Sequence, residues 1–529
     1  MGIFFSETVP ICDEVKGNNH GETGFLIFTI GRNILKTCLE ALMSNDDFDF
    51  SFEDDEYDEF EKRNINEEIK RLRREEPTFS SIAALEEIID YFMSQDKYED
   101  ALFFANKLIS VMPASAENWF RRGEINEALG KFEDSLDDYS KALEYNPIEI
   151  DALIGRASCL QMLDRHEEAL ESIERALDVD PGSYEALMNQ GVILEKLARY
   201  EEASKVFKYL TDLDSSDKDA WFELAYCYDY LDQPEKSLKC YDKVIEYDPY
   251  NYRAWYNRGI ALNALGKYQT AVESYEMAIA IDEKFGAAWY NRSNALLSMG
   301  KLREAIESYK TTLKYEPKDV ASWHNMATAY EELGEYRDAV RCYTEALKCD
   351  PDHVESLFGR AVCYDAMSMY RKALVDFTKA AELNPADADI WHARGDVEFT
   401  LEMYEDSIVS YRKVVELQPD NVDGWLDLGD ALSECDSNDK ALEAYDRVIS
   451  ISPDWSEAYY QKCKCCLALG WFDEAIQTAK KALELEPHKI NTFFQDFGQI
   501  QHSNPEILIK FVFPVYEWLV NEKKYRDPR

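Results

Sequence analysis

Trp255-Tyr256-Asn257, Trp289-Tyr290-Asn291 and Trp323-His324-Asn325 are three versions of one phrase, set 34 residues apart twice over. A period between 20 and 50 residues is the mark of a repeat architecture and outranks every other reading of a chain. Working outward, prolines at 113, 147, 181, 249, 317, 351, 385, 419, 453 and 487 hold one phase of 34, with Ser215 and Glu283 in the two gaps. Twelve units then begin at residues 82, 116, 150, 184, 218, 252, 286, 320, 354, 388, 422 and 456, without insertion. Proline suits a junction between helices, because it lacks a donor and fixes φ near the start of the next helix.

Inside a unit, apolar residues recur at helical spacing in two bursts. In the unit from Tyr252, Trp255, Gly259 and Ala261 line the first burst, and Ala271, Tyr275, Ala278 and Ile279 line the second. Gly130, Gly266, Gly300, Gly334 and Gly470 mark the turn between them. A small residue at position 8 lets two helix backbones approach, and the aromatic at position 4 fills the space beside it. Each unit therefore reads as an amphipathic helical hairpin that needs its neighbours to cover its apolar face.

This pattern resembles the tetratricopeptide repeat, W-x2-L-G-x2-Y followed by A-x3-F, A and P. It is clearest in Trp119, Gly123, Ala142 and Pro147, and in Trp425, Gly429, Ala441, Tyr445 and Pro453. The resemblance spans residues 82–489 and implies an all-α, right-handed superhelical solenoid of helix-turn-helix repeats. The first unit departs from it, with Leu85 and Ile89 for Trp and Gly, as suits an end unit. Arginine replaces leucine at position 7 in six units (Arg122, Arg156, Arg258, Arg292, Arg360, Arg394), which reads as packing and ion pairing between helices.

The remaining segments read as follows. Residues 1–42 match nothing downstream and are expected to be an extension outside the functional unit. Residues 43–81 open with acids interleaved with Phe48, Phe50, Phe52, Tyr57 and Phe60, a composition that buries too little surface to order itself. A solvated helix over Glu67–Glu76 is expected to lead into the array. Residues 490–529 carry the apolar faces of a C-terminal helical cap, which a solenoid end requires.

Composition narrows the function. Acids outnumber bases 104 to 58, a net charge of −46, which speaks against nucleic acid and anionic lipid, both of which need a cationic footprint. No apolar run approaches the roughly 20 residues of a membrane helix, and residues 1–23 lack a basic secretory leader, so a soluble cytoplasmic protein is expected. Six of the twelve cysteines keep repeat phase (Cys159, Cys227, Cys363 and Cys465 share position 10, Cys240 and Cys342 position 23), so they read as small core residues. The run Cys463, Cys465, Cys466 lacks zinc-site spacing, and no metal or cofactor is expected. No phosphate loop, dinucleotide fingerprint, metalloprotease or nucleophile-elbow motif occurs, and the seven histidines are scattered, which argues against an enzyme.

The resemblance implies that first helices line a concave groove, with positions 2, 5, 6, 9, 12 and 13 facing it. On that basis acids dominate units one to five (Glu127, Glu195, Asp219, Glu223, Asp229) and nine to eleven (Asp365, Asp396, Asp423, Asp427, Asp430). Units six to eight offer an amide-and-aromatic centre, with Arg253, Tyr256, Asn257, Tyr290, Asn291, Asn294, His324 and Asn325 as the candidate peptide-binding residues. An asparagine amide is both donor and acceptor and can grip the main chain of an extended peptide. Asn257, Asn291 and Asn325 resemble the asparagine ladder in repeats of transferases that attach N-acetylglucosamine to proteins, although no transferase domain follows. The expected function is a non-catalytic scaffold or adaptor for neutral to basic protein segments. The runner-up is a structural or regulatory subunit permanently docked in a larger complex.

Overall fold

The computed structural model describes residues 65–489 and 507–521. The readings of residues 1–42 and of the acidic-aromatic stretch lie outside them. The chain divides into two compact units, residues 1–179 and 180–529, with the division falling between the third and fourth repeats.

Each repeat is a first helix of 13 residues and a second of 14, from Ile82–Ser94 and Tyr98–Val111 to Ser456–Ala468 and Phe472–Leu485. First helices start at residues 82, 116, 150 and onward in steps of 34. The residue just before them is a side-chain cap in eight repeats: Ser115, Ser183, Asp217, Asn251, Asp319, His353, Asp387 and Asn421 each accept a backbone N–H of the first turn.

The hairpin turn has one backbone solution throughout. All twelve position-15 residues adopt positive φ, between 53° and 77°, although only five are glycine. Asp96, Asp164, Ala198, Asp232, Ser368, Glu402 and Asp436 hold the same left-handed conformation. There the chain satisfies the last carbonyls of the first helix, as when Lys267 N donates to Leu262 O at 2.9 Å.

The helices of a hairpin meet where position 8 faces position 24. A Cβ built on Gly259 would stand 2.4 Å from Tyr275, one on Gly191 2.3 Å from Phe207, and one on Gly429 2.5 Å from Tyr445. The first unit reverses the sizes, with Ile89 at position 8 and Ala105 at position 24, both buried in one cluster. The volume is conserved while its owner changes.

The tryptophans do more than fill space. All seven at position 4 are only half-buried, and each indole N–H donates to the backbone carbonyl six residues earlier, at 2.8–3.1 Å. That carbonyl belongs to the proline-phase residue. Ser215 and Glu283 therefore serve as well as proline, because the bond uses the main chain. In the twelfth unit Tyr459 has the role, its hydroxyl 3.0 Å from Pro453 O.

The position-7 arginines tie first helices to second helices. Arg360 forks onto Asp376 at 2.7 and 2.8 Å, and Arg122 holds Asp138 at 2.9 Å, both carboxylates almost fully buried. Arg258 and Arg292 reach back to Asp242 and Glu276 of the preceding second helix, at 2.8 Å each. Arg394 pairs with Glu398 on its own helix at 2.7 Å.

The lead-in helix, residues 65–74, differs from the solvated helix expected. Ile65, Ile69 and Leu72 make one apolar stripe that packs with Leu85, Ile88 and Phe104 of the first repeat. Lys107 Nζ then closes its end by donating to Leu72 O and Glu75 O at 2.7 and 2.8 Å. The charges between those apolar positions obscured the stripe. At the other end Ile507, Phe511, Val512, Val515 and Leu519 join the core of the last repeat beside Ala475, Ala479 and Leu483. The ten described cysteines are free thiols, and burial pushes that of Cys159 up to about 12. No helix among the described residues is long and apolar enough to cross a membrane.

Candidate peptide-binding face

The first helices of units six, seven and eight (Tyr252–Ala264, Gly286–Ser298, Val320–Glu332) carry the eight candidate residues, all within the second compact unit. Position 5 is an aromatic wall. The rings of Tyr256, Tyr290 and His324 lean on the position-24 rings of Tyr275, Tyr309 and Tyr343, with centroids 6.0, 6.2 and 5.5 Å apart. Tyr256 is 6% exposed and also packs on Phe285, so it offers a partner little beyond its edge.

The asparagines are engaged by tyrosines, which revises the picture of three fully available amides. Asn291 Nδ2 donates to the Tyr256 hydroxyl of the preceding unit at 2.8 Å. Asn325 Nδ2 lies 3.3 Å from the Tyr290 hydroxyl and 3.2 Å from Asn294 Oδ1. Asn294 Oδ1 also accepts from the Tyr309 hydroxyl. Asn257 donates to Tyr241, since unit five has Phe222 at position 5 and no hydroxyl there. Each amide thus spends donor capacity inside the protein. Asn291 retains a carbonyl oxygen and a second N–H without a partner among the described residues.

Tyr290, Asn294 and Asn325 are brought into one cluster, and Tyr256 with Asn291 into another. His324 belongs to neither. Its Nδ1 lies 3.1 Å from Ser356 Oγ, which lies 2.9 Å from Nδ1 of His353. Burial, and then the neighbouring His353, push the His324 imidazole down to about 4, so it is neutral at pH 7. Arg253 is exposed and rests on the adjacent Tyr252, with the guanidinium 5.8 Å from its ring centroid.

The acidic flanks also proved to be partly internal. The position-24 tyrosine hydroxyl donates to a carboxylate at position 9 or 12: Tyr139 to Glu127 at 2.8 Å, Tyr241 to Asp229 at 2.7 Å, Tyr445 to Asp430 at 2.7 Å. Burial pushes Asp229 and Asp430 up to about 6 despite those bonds. Glu195 and Glu223 on neighbouring units are raised well above the ordinary carboxylate range, by burial first and then by Glu223 and Asp219 respectively. Sequence reading missed the position-24 tyrosines as part of this face, although their recurrence in phase was visible.

Models described as tetratricopeptide repeat or TPR repeat match residues 116–148, 160–218, 219–251, 252–285, 293–334, 320–353, 342–375, 388–421, 422–454 and 456–489. The chain belongs to the tetratricopeptide repeat family, and in that general sense it is a protein-interaction scaffold built as an all-α repeat solenoid. No curated protein matches it. Among solved structures it is similar to YrrB, a TPR protein with an unusual peptide-binding site (21% identity, 35% of this chain and 95% of that one, TM-score 0.34). It is also similar to MamA 41-end from Desulfovibrio magneticus RS-1 (24% identity, 32% and 96%, TM-score 0.31). A third is the APC/C hetero-tetramer Cut9–Hcn1 (15% identity, 78% and 95%, TM-score 0.32).

Proposed function

We propose that the chain is a non-catalytic adaptor that holds extended, neutral to basic peptide segments against the first helices of units six to eight. The observation that carries this reading is the fixing of Asn291 by Tyr256, which orients an amide whose remaining donor and acceptor have no partner among the described residues. A group held in place before binding loses less freedom on binding, so its hydrogen bonds count for more. The buried His324 is consistent with that preference, because at neutral pH it adds no positive charge to the face. The free, mostly buried thiols fit a reducing compartment, the cytoplasm.

Two substitutions separate binding from architecture. Asn291→Ala removes both the link to Tyr256 and the outward amide, whereas Tyr256→Phe removes only the link. Each should cost about 0.5–1.5 kcal/mol of stability. In a fluorescence-polarisation screen of extended peptides, Asn291→Ala combined with Asn257→Ala and Asn325→Ala should weaken capture at least tenfold, and Tyr256→Phe much less. Equal capture by the triple variant and the parent would sink the proposal. Preferential capture of acidic peptides would overturn its charge preference.

A further inference from the structure

Within the second compact unit, position 5 and position 9 of one first helix meet position 6 of the next at two junctions. At the junction of units seven and eight they are Tyr290, Asn294 and Asn325. The Asn325 amide nitrogen lies between the two acceptors, 3.3 and 3.2 Å away. At the junction of units ten and eleven the same positions hold His392, Asp396 and Asp427. There no amide is available to sit between them.

The geometry points to a divalent transition-metal site of the zinc type formed by His392, Asp396 and Asp427. His392 and Asp396 are four residues apart on Ala388–Thr400 and so share one helix face. Asp427 comes from Val422–Glu434 of the next repeat. One donor atom from each lies within 4.8 Å of the other two. His392 Nε2 is 2.7 Å from Asp427 Oδ2 and 3.9 Å from Asp396 Oδ1. Ligands around a tetrahedral zinc stand about 3.3 Å apart, given bonds of about 2.0 Å. One separation must open and the other close by roughly half an ångström, which side-chain torsions can supply.

The surroundings support the assignment. The Tyr411 hydroxyl donates to Asp396 at 2.9 Å, and its ring meets the His392 imidazole edge-on at 5.8 Å, so both ligands are held from behind. Asp423 adds further negative charge toward His392. The nearest arginine on the helix, Arg394, is committed to the buried Glu398. One imidazole and two carboxylates, half-open to solvent, select a zinc-like ion over calcium or magnesium, which favour oxygen-only shells. The remaining coordination positions would face solvent. His324, at position 5 of unit eight, lacks such a set, because the position-6 residue opposite it is Gly359.

Calorimetric titration of the chelator-treated full chain with Zn2+ alone tests this. One equivalent should bind, with no competition from excess Mg2+. His392→Ala should weaken binding at least tenfold. Asp427→Asn, nearly isosteric and able to keep the histidine bond, should also weaken it, with an unchanged melt confirming the fold. Cys349→Ser, at the exposed thiol, should change nothing. Co2+ should give the visible bands of an N/O site without an intense thiolate charge-transfer band. Absence of the equivalent would overturn the site, as would undiminished binding by both variants, equal competition by Mg2+, or a thiolate band. His392 and Asp427 would then be an internal ion pair only.

Discussion

The ring of Tyr275 occupies the space that a side chain at Gly259 would need: a methyl built there would stand 2.4 Å from Cε1. A small residue at position 8 is thus the counterpart of a large aromatic at position 24: Ala225, Ser293 and Ala327 face Tyr241, Tyr309 and Tyr343 in other repeats, whereas at Gly259 the Tyr275 ring lies too close for a methyl. Gly259→Ala should destabilise the sixth repeat by about 1–3 kcal/mol through overpacking. Tyr275→Ala should cost about 3–5 kcal/mol through the void it leaves. The double change Gly259→Ile with Tyr275→Ala copies the Ile89/Ala105 arrangement of the first unit and should recover part of that loss. Thermal melts with hydrogen exchange over residues 252–285 would measure it. A double variant no better than Tyr275→Ala would show that the sizes are not exchanged across this contact.

The shared left-handed turn leads to a stabilising change. Ala198 holds φ at 55° with no side-chain hydrogen bond to compensate. Ala198→Gly should stabilise by about 0.5–1 kcal/mol, the relief of a left-handed strain of ~1–2 kcal/mol less the added freedom of the unfolded chain. Gly266→Ala, at the same position with φ of 68°, should do the reverse. Matched urea transitions that move both variants in one direction would refute the account.

His324 should give the protein an acid-sensitive joint. Its folded-state pKa of about 4 lies below the ordinary 6.5, so the unfolded chain binds the proton more tightly. Stability is therefore complete above pH 6.5 and is lost as pH falls from there through 4, by roughly 3 kcal/mol. His324→Phe, which copies Phe358 of the next unit, should flatten that loss. An unchanged pH profile of the melting midpoint would place the sensitivity elsewhere.

Glu195 works in the opposite sense. Burial raises its carboxyl, so the folded state holds the proton more tightly than the unfolded one. Its contribution is favourable at low pH and is lost as pH rises through the interval between the ordinary carboxylate value and the raised one. Glu195→Gln should leave the melt at pH 5 unchanged and raise it at pH 8. A fall at pH 8 would mean that the charge is compensated by a partner outside the chain.

The fold was legible because it is written in phase. Trp, small residue, turn and proline recur at fixed positions, and the helix starts follow that count. The lead-in helix was misread because Lys70, Arg71, Arg73 and Arg74 surround the short stripe of Ile65, Ile69 and Leu72, and charge density hides three apolar positions. The candidate face was half legible. Position 6 identified the asparagines, but whether an amide looks outward depends on the residue 35 positions earlier. Asn291 meets the Tyr256 hydroxyl, whereas the residue 35 positions before Asn257 is Phe222, which has no hydroxyl, and Asn257 bonds Tyr241. His392 was lost among scattered histidines because its companion Asp427 is one repeat away and only the stacking of helices joins them.

The indole-to-carbonyl bonds at the repeat joints have a practical consequence. Seven tryptophans each sit at the same bond, half in water, spread from Trp119 to Trp425. Indole emission shifts to the red when the ring gains water, so each of these seven joints carries its own built-in optical gauge. Replacing all but one of these, and Trp455, Trp471 and Trp518 as well, with phenylalanine would turn the chain into a ruler with a single lit mark. Moving that mark from repeat to repeat would show which joint opens first, without attaching a foreign dye.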